Sequence, residues 1–370
     1  MIWPSDESRV ESTGGRFEMF LTYDKIVRVL LCGCVSVVPA ALLQLLGLCS
    51  CCLAFLTAWA ASAAIYLALA SLKVEVTGKA VLVTGCDTGF GHALALHLHK
   101  LGFRVFAGCL QDSSQGAQKL RKVGSSRLHV LQLDITNQDH LARSLKEVKS
   151  ALSPTEVLWG LVNNAAVDTY GAIEWVTLDT YRKICSVNIL GTIAVTKTFL
   201  PLIRQAKGRV VTVGSVRGRV PSPLGSPYDI TKYAIEAFND DLRNEMRRFG
   251  VGVCLIEPGN FTAGTNILQK EAVLHYERQM WDAMDQEVRE AYGKDYYDQT
   301  TELHLKATTS GNSDISEVIY AMTEALTQRL PQGRYQPMDL YLYLVLFLAQ
   351  HFPEWLYDHI FIEYLFKKGW

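Results

Sequence analysis

The chain has 370 residues, with 36 Lys plus Arg against 37 Asp plus Glu and a formal charge of −1. That balance argues against a nucleic-acid partner, which would show a basic excess or a basic stripe. Charged residues make up 20% and apolar residues 49%; this is below the ~25% charge of soluble domains, which points to membrane contact and excludes a disordered chain.

The first 28 residues form a polar lead with Asp6, Glu7, Glu11, Glu18 and Asp24 against Arg9, Arg16, Lys25 and Arg28. So many acids disfavour a mitochondrial transit peptide, and the long apolar run that follows disfavours a cleaved signal peptide. From Val29 to Leu72 no charged residue occurs, a run about twice the ~20 residues that one span needs. A turn at Gly47 to Cys52 splits it into helices over about 29–48 and 53–72, with Pro39 and Gln44 weakening the first. The expected location is a membrane, the endoplasmic reticulum ahead of the mitochondrial inner membrane. Flanking charges set no orientation.

The nine cysteines are odd in number. Cys32, Cys34, Cys49, Cys51 and Cys52 lie in the apolar stretch, and Cys86, Cys109, Cys185 and Cys254 are scattered. No metal-ligand spacing and no disulfide framework emerge, so no metal is expected and a reducing compartment fits. Cys49-Ser50-Cys51-Cys52 reads as small thiols tolerated in an apolar helix, ahead of a metal or palmitoylation site.

From residue 76 to 335 short apolar runs alternate with longer helical ones. Strands are expected at 79–84, 104–110, 128–133, 158–163, 209–213 and 251–256. Helices are expected at 89–101, 116–123, 138–152, 178–205 and 226–249. Near-continuous apolar strands are covered on both faces, and repeated βα units imply right-handed crossovers. The expected fold is α/β: a single Rossmann-like, doubly wound parallel sheet.

The first βα turn reads Thr84-Gly85-Cys86-Asp87-Thr88-Gly89-Phe90-Gly91. Glycines here let the backbone turn tightly and approach a pyrophosphate, and the following helix offers free N–H groups and the positive end of its dipole. No Lys-Ser/Thr pair follows, which disfavours ATP chemistry.

These residues resemble the short-chain dehydrogenase/reductase family over about residues 76–335. Asn163-Asn164-Ala165-Ala166 is similar to its Asn-Asn-Ala-Gly signature, Tyr228-x3-Lys232 to its catalytic pair, and Ser215 and Asn188 to its other catalytic positions. Pro258-Gly259 resembles its nicotinamide-proximal loop. Leu200 to Val210, Glu257 to Phe261 and Arg334 to Met338 look like a membrane-associated branch of hydroxybutyrate, 17β-hydroxysteroid and retinol dehydrogenases. The resemblance implies a nicotinamide cofactor, an alcohol or ketone substrate and a homo-oligomer.

Hydride transfer from an alcohol needs a partner for the hydroxyl proton. Tyrosine is a poor base at its reference pKa of ~10, and a cation four residues on shares its helix face and is expected to lower it. Tyr228 is therefore the expected general acid/base, with Lys232 as the tuning cation and, by the resemblance, the holder of the nicotinamide ribose. Ser215 would steady charge on the substrate oxygen, and Asn188 would support a water that contacts Lys232.

For the cofactor, NADP enzymes carry a cation near the ribose phosphate. Here the corresponding places hold Thr88 and Leu110, with Asp87 and Asp112 nearby, so NAD is expected. Asp112 follows Gly91 at close to the ~20-residue spacing of a ribose-binding acid, and Asp134, ending the third strand, would meet the adenine. Ala166 stands where the signature has glycine; its methyl is tolerated if φ is negative. A weak or inactive cofactor-binding scaffold at the membrane is the alternative function.

Past the last loop, Leu268, Val273, Tyr276, Met280, Trp281 and Met284 recur at helical spacing, as an apolar substrate lid or as ordinary core. Arg217 and Arg219, just past Ser215, are candidates for meeting an anionic substrate, with surface pairing equally open. Asn260-Phe261-Thr262 matches a glycosylation sequon but reads as structural. The tail, 336–370, is rich in aromatics and is expected to be membrane-interfacial or a lid.

Overall fold

The computed structural model describes residues 22–47, 50–265 and 267–363. Cys49 and the end of the tail, 364–370, lie outside the described residues. The chain divides into two compact units at Ser71/Leu72.

The first unit is a pair of helices, α1 (Tyr23–Leu45) and α2 (Cys51–Ser71). Both are long and apolar enough to cross a membrane. Helix α1 begins inside the stretch expected as a polar lead, capped by the Thr22 hydroxyl, which accepts from the Lys25 N–H at 3.3 Å. It continues through Pro39. The two helices meet through small residues and polar contacts, as helices in lipid do. Ala40 and Ala54 are buried, the Ser36 hydroxyl lies 3.2 Å from that of Ser62, and Trp59 Nε1 donates to the Val29 carbonyl at 2.8 Å. Leu30, Val35, Leu45 and Leu56 remain exposed, an apolar surface suited to lipid.

The second unit alternates strands and helices. In chain order it runs β1 (Lys79–Thr84), α3 (Gly89–Lys100), β2 (Arg104–Cys109), α4 (Gln115–Lys122), β3 (Leu128–Gln132), α5 (Gln138–Ala151) and β4 (Val157–Asn163). Then come α6 (Leu178–Cys185), a π-helical turn over Ser186–Gly191, α7 (Thr192–Ala206), β5 (Arg209–Val213), α8 (Ser226–Met246) and β6 (Gly252–Ile256). After these follow α9 (Lys270–Ala283), α10 (Gln286–Tyr292), α11 (Lys294–Ala307), α12 (Ser316–Thr327), β7 (Arg334–Tyr335), α13 (Leu340–His351) and α14 (Glu354–Tyr357).

The strands form one parallel sheet in the order β3-β2-β1-β4-β5-β6-β7. Its expected strands lie within a residue or so of the observed ones because each is an apolar run buried on both faces. Val81, Val83, Val105 and Ala107 face α3 and α12 in one core layer. Leu82, Phe106, Leu161 and Val210 face α5 and α7, through Val148, Val195, Phe199 and Ile203, in the other. The run Leu178–Ala206 is also long and apolar enough to cross a membrane, but its apolar face is spent on this second layer. The chain order reverses between β1 and β4, and a crevice at the carboxyl ends of strands is where such sheets bind ligands.

Candidate active site

The glycine loop, Asn163 to Ala166, Ser215 and Pro258-Gly259 lie at the carboxyl ends of β1, β4, β5 and β6, while Asn188, Tyr228 and Lys232 are carried on helical segments. The loop after β1 is shaped by Gly85 (φ +69°) and Gly89 (φ +59°), conformations that favour glycine. At Gly91 a Cβ would lie 2.4 Å from the Gly85 carbonyl oxygen and 2.5 Å from Asn164 Nδ2, so only a hydrogen fits. A latch from β4 fixes this loop. Thr84 Oγ1 accepts from the N–H groups of Asn164 and Ala165, both at 3.0 Å, and Asn164 Nδ2 donates to the carbonyls of Thr84 and Gly85 at 2.9 and 3.1 Å. Thr88 precedes α3 without a side-chain cap, leaving the first N–H groups of the helix to an anion.

Asp87 turns away from that anion site. Its carboxylate accepts from the Leu110 N–H at 2.7 Å and the Gln111 N–H at 3.4 Å, tying the glycine loop to the end of β2. Asp112 pairs with Arg121. Asp134 Oδ1 accepts from the Thr136 N–H at 2.8 Å and hydroxyl at 2.7 Å. Asn163 is a scaffold residue: its buried amide donates to the hydroxyls of Thr196 at 2.8 Å and Thr212 at 3.5 Å. The glycine cradle, the open helix start and these acids at the ends of β2 and β3 fit a dinucleotide.

Ser215 follows β5 in extended backbone, and its hydroxyl accepts from the Arg217 N–H at 3.2 Å. Tyr228 and Lys232 lie one turn apart on α8, both buried. The Ser215 hydroxyl lies near enough to the phenol to lower its pKa, and both side chains are buried. Lys232 Nζ donates to the Val213 carbonyl at 2.9 Å and stands 5.4 Å from the Tyr228 ring centroid.

Asn188 lies in the π-helical turn, a feature often found at functional sites. Its Oδ1 accepts from the Val167 N–H at 2.9 Å, and its Nδ2 donates to the Val167 carbonyl at 2.8 Å and the Thr231 hydroxyl at 3.0 Å. The amide thus clamps the loop after β4 to the catalytic helix. Pro258 accepts from the Val216 N–H at 3.0 Å. Gly259 leaves room for the tail: a Cβ there would be 2.8 Å from Leu342 Cδ1 and 2.9 Å from Met338 Cβ.

The electrostatics differ from expectation at Tyr228. Burial, then the Asp168 carboxylate, push its phenol above the ordinary tyrosine value, while Arg217 and Ser215 pull the other way. Lys232 does not set the balance. Burial lowers its own pKa to about 8, partly opposed by Asp168 and Glu236. The cation packed on the phenol is Arg217, whose guanidinium is 5.1 Å from the ring centroid and whose Nε is 2.6 Å from Asp229 Oδ1.

A family model described as short chain dehydrogenase matches residues 79–273. The chain belongs to the short-chain dehydrogenase family. It is 45% identical over 290 residues to the mitochondrial D-beta-hydroxybutyrate dehydrogenase of Rattus norvegicus, covering 78% of this chain and 84% of that protein. It is 41% identical to retinol dehydrogenase 7 of Mus musculus, over 70% and 79% of the two chains. It is 40% identical to 17-beta-hydroxysteroid dehydrogenase type 6 of Bos taurus, over 70% and 80%. Among solved structures, a short chain dehydrogenase/reductase from Burkholderia phymatum in complex with NAD superposes with a TM-score of 0.58 at 20% identity, covering 74% of this chain and 94% of the other. That last likeness concerns the fold.

As a short-chain dehydrogenase the chain is an oxidoreductase of alcohol and carbonyl groups that uses a nicotinamide cofactor. The cofactor, when bound, supplies the carbon that takes up or gives back hydride. The chain's own residues do the rest. Ser215 and Tyr228 present a hydroxyl and a phenol that could meet a substrate oxygen, and the buried Lys232 ammonium lies beside the phenol.

Ala166 does not adopt positive φ; among the described residues only Lys207 and Leu224 do so without being glycine. Its methyl is therefore accommodated. Sequence reasoning missed the Asn164 latch, and it missed Asp168 and Asp229 as partners of Arg217. Asp229 adjoins the catalytic tyrosine, so a charge inside that helix motif was the available signal; Asp168 gave none. Arg219 lies 3.6 Å from buried Glu257. The segment expected as a lid packs Val273, Met280 and Met284 inward, the latter two in a cluster with Trp175 and Tyr297.

Proposed function

We propose that this chain is an NAD-dependent, membrane-bound dehydrogenase that interconverts a secondary alcohol and its ketone. Its substrate is a 3-hydroxybutyrate-like molecule or a lipid alcohol such as a steroid or retinol. The observation that carries the reading is the burial of Ser215, Tyr228 and Lys232 together, with the Lys232 ammonium one turn along α8 and 5.4 Å from the Tyr228 ring centroid. Ser215, Tyr228, Lys232 and Asn188 are its catalytic set. Thr84, Gly85, Asp87, Gly89, Phe90, Gly91, Asp112, Asp134, Asn163, Pro258 and Gly259 form the cofactor site, with Asn163 acting through the scaffold. NAD over NADP is favoured by the Asp87 carboxylate, held against the end of β2 by the Leu110 N–H, which would repel a ribose phosphate, while the Asp112 charge is shared with Arg121.

The domain spans residues 76–335 behind a polar lead (1–28) and a membrane segment (29–72), and ends in a membrane-interfacial tail (336–370). In that tail Leu340, Tyr341, Leu344 and Phe347 are exposed while Val345 and Leu346 are buried, the two-faced pattern of an interfacial helix. The enzyme works as a homo-oligomer in the endoplasmic reticulum membrane.

The test is turnover by the full chain in phospholipid vesicles with NAD and a panel of 3-hydroxybutyrate, estradiol, testosterone and retinol. At least one alcohol is oxidised, and Tyr228→Phe lowers kcat by ~10³ or more. Retained turnover in that variant removes Tyr228 as the acid/base. Binding of NAD without turnover on the whole panel supports the scaffold instead.

A further inference from the structure

Three charged side chains surround the catalytic phenol without belonging to the catalytic set. Asp168 lies in the loop after β4, next to the Val167 that Asn188 clamps. Arg217 lies two residues past Ser215. Asp229 adjoins Tyr228 on α8. Arg217 is ion-paired and packed: its Nε stands 2.6 Å from Asp229 Oδ1, without hydrogen-bond geometry, its guanidinium lies over Tyr228, and Gly225 makes room for it, since a Cβ there would lie 1.8 Å from Arg217 Nη2. Asp229 is also engaged at its other oxygen, which accepts from the Ser222 N–H at 2.9 Å. Asp168 is not: its Oδ1 is buried and makes no hydrogen bond within the chain. One guanidinium thus stands in the field of two carboxylates, and the buried Asp168 Oδ1, with no hydrogen bond, is within electrostatic reach of the phenol.

The other cations nearby are occupied too. Lys232 is the ribose-holding ammonium of the catalytic pair and donates to Val213. Arg219 faces Glu257 and Glu236. His304 packs tilted against Tyr170 with ring centroids 3.5 Å apart and contacts Glu277, and burial lowers its pKa.

We propose that Asp168 is a specificity residue that, with Asp229, cancels Arg217 and closes this site to carboxylate-bearing substrates, so that the alcohol it takes is uncharged. The inference rests on the dehydrogenase reading and adds the charge of the substrate. A carboxylate brought beside Tyr228 would meet two carboxylates against Arg217 and, among the described residues, no other cation there but Lys232, which the cofactor ribose would occupy; like-charge juxtaposition is an effective way to reject a wrong partner. The rejection has particular interest because the chain is 45% identical to a hydroxybutyrate dehydrogenase, whose named substrate is an acid.

The experiment uses the full chain in phospholipid vesicles and follows the fluorescence of bound NADH. The NADH complex is titrated with acetoacetate, the keto acid formed from 3-hydroxybutyrate, and with methyl acetoacetate, its uncharged ester. The ester is expected to bind at least about tenfold more tightly than the acid. Asp168→Asn, with Asp168→Ser as a second variant should the first fail to fold, is expected to cut that preference about tenfold by freeing Arg217. NADH binding with no preference for the ester, whether both ligands bind or neither does, overturns the inference. So does a preference that survives both variants. Failure to bind NADH at all overturns both this inference and the dehydrogenase reading, and is distinguished by the missing fluorescence of the bound cofactor.

Discussion

The Arg217 guanidinium packs over the Tyr228 ring, 5.1 Å from its centroid, so the phenol proposed as the acid/base has a fixed cation on one face. Arg217 in turn keeps its charge although burial works against it, because Asp168 and Asp229 hold its pKa above the usual arginine value. The phenol's proton affinity, raised by burial and Asp168, is lowered most by Arg217, a group outside the Tyr-x3-Lys motif.

Removing that cation should act on both stability and pH dependence. In Arg217→Leu the two carboxylates lose their counter-charge, and breaking a buried pair from one side costs about 3–5 kcal/mol when both groups are fully dry. Arg217 is a quarter exposed, so about half of that is expected. The phenol pKa should rise further, since Arg217 is the largest influence lowering it. Thermal unfolding should show a lower Tm, and the pH profile of kcat/KM should move to higher pH. An unchanged profile with a lower Tm would reduce Arg217 to a structural brace.

The glycine cradle makes a sharper forecast. Gly91→Ala places a methyl 2.4 Å from the Gly85 carbonyl oxygen, and a backbone carbonyl cannot step aside without opening the Asn164 latch. NADH affinity should fall at least tenfold while far-ultraviolet circular dichroism is preserved. Affinity within twofold of the parent would mean that the loop does not form the phosphate cradle.

How far these features can be read from sequence follows from their range. Strands β1 to β6 are legible because each is an apolar run with both faces covered, and the Tyr228-x3-Lys232 pair because its spacing is one helical turn. Strand β7 is two residues long and exists only through its register with Leu255 and Ile256, so no periodicity marks it. The π-helical turn sits unseen inside the long helix expected over 178–205, since what stabilises it is the distant bonding of Asn188 to Val167 and Thr231. The triad of Asp168, Arg217 and Asp229 is likewise assembled by three loops and helices far apart in the chain. A local motif reveals the chemistry; the electrostatics that tune it come from tertiary contacts.

Asp168 gives the stability of the protein a specific pH dependence. Burial raises its carboxyl to about 6 in the folded chain, against the Arg217 charge, and unfolding returns it to the ordinary value near ~3.9. A carboxyl whose folded pKa is raised costs stability when ionised, so the penalty is full above about 6 and is relieved as pH falls from 6 towards 4. Asp168→Asn should therefore have a higher Tm than the parent at pH 7.5, by roughly a few degrees, and the gap should close by about pH 4. A gap that is constant across this range would show that Asp168 does not titrate there.

The loop after β6 couples the site to the tail. Gly259 donates its N–H to the Pro337 carbonyl at 3.0 Å, and its missing side chain is the space into which Leu342 and Met338 pack. Gly259→Ala must push against Met338, which is buried, and overpacking of this kind costs about 1–3 kcal/mol. Leu342→Ala alone opens a half-buried gap and also destabilises. If the two side chains share one space, the double variant should lose less than the two singles together, with a coupling of about 0.5–3 kcal/mol measured by denaturant unfolding. The same double variant should recover part of the cofactor affinity lost in Gly259→Ala, because relieving the tail lets the loop return. Strictly additive losses would show that the tail and this loop are independent, and would separate the apolar end of the chain from the chemistry.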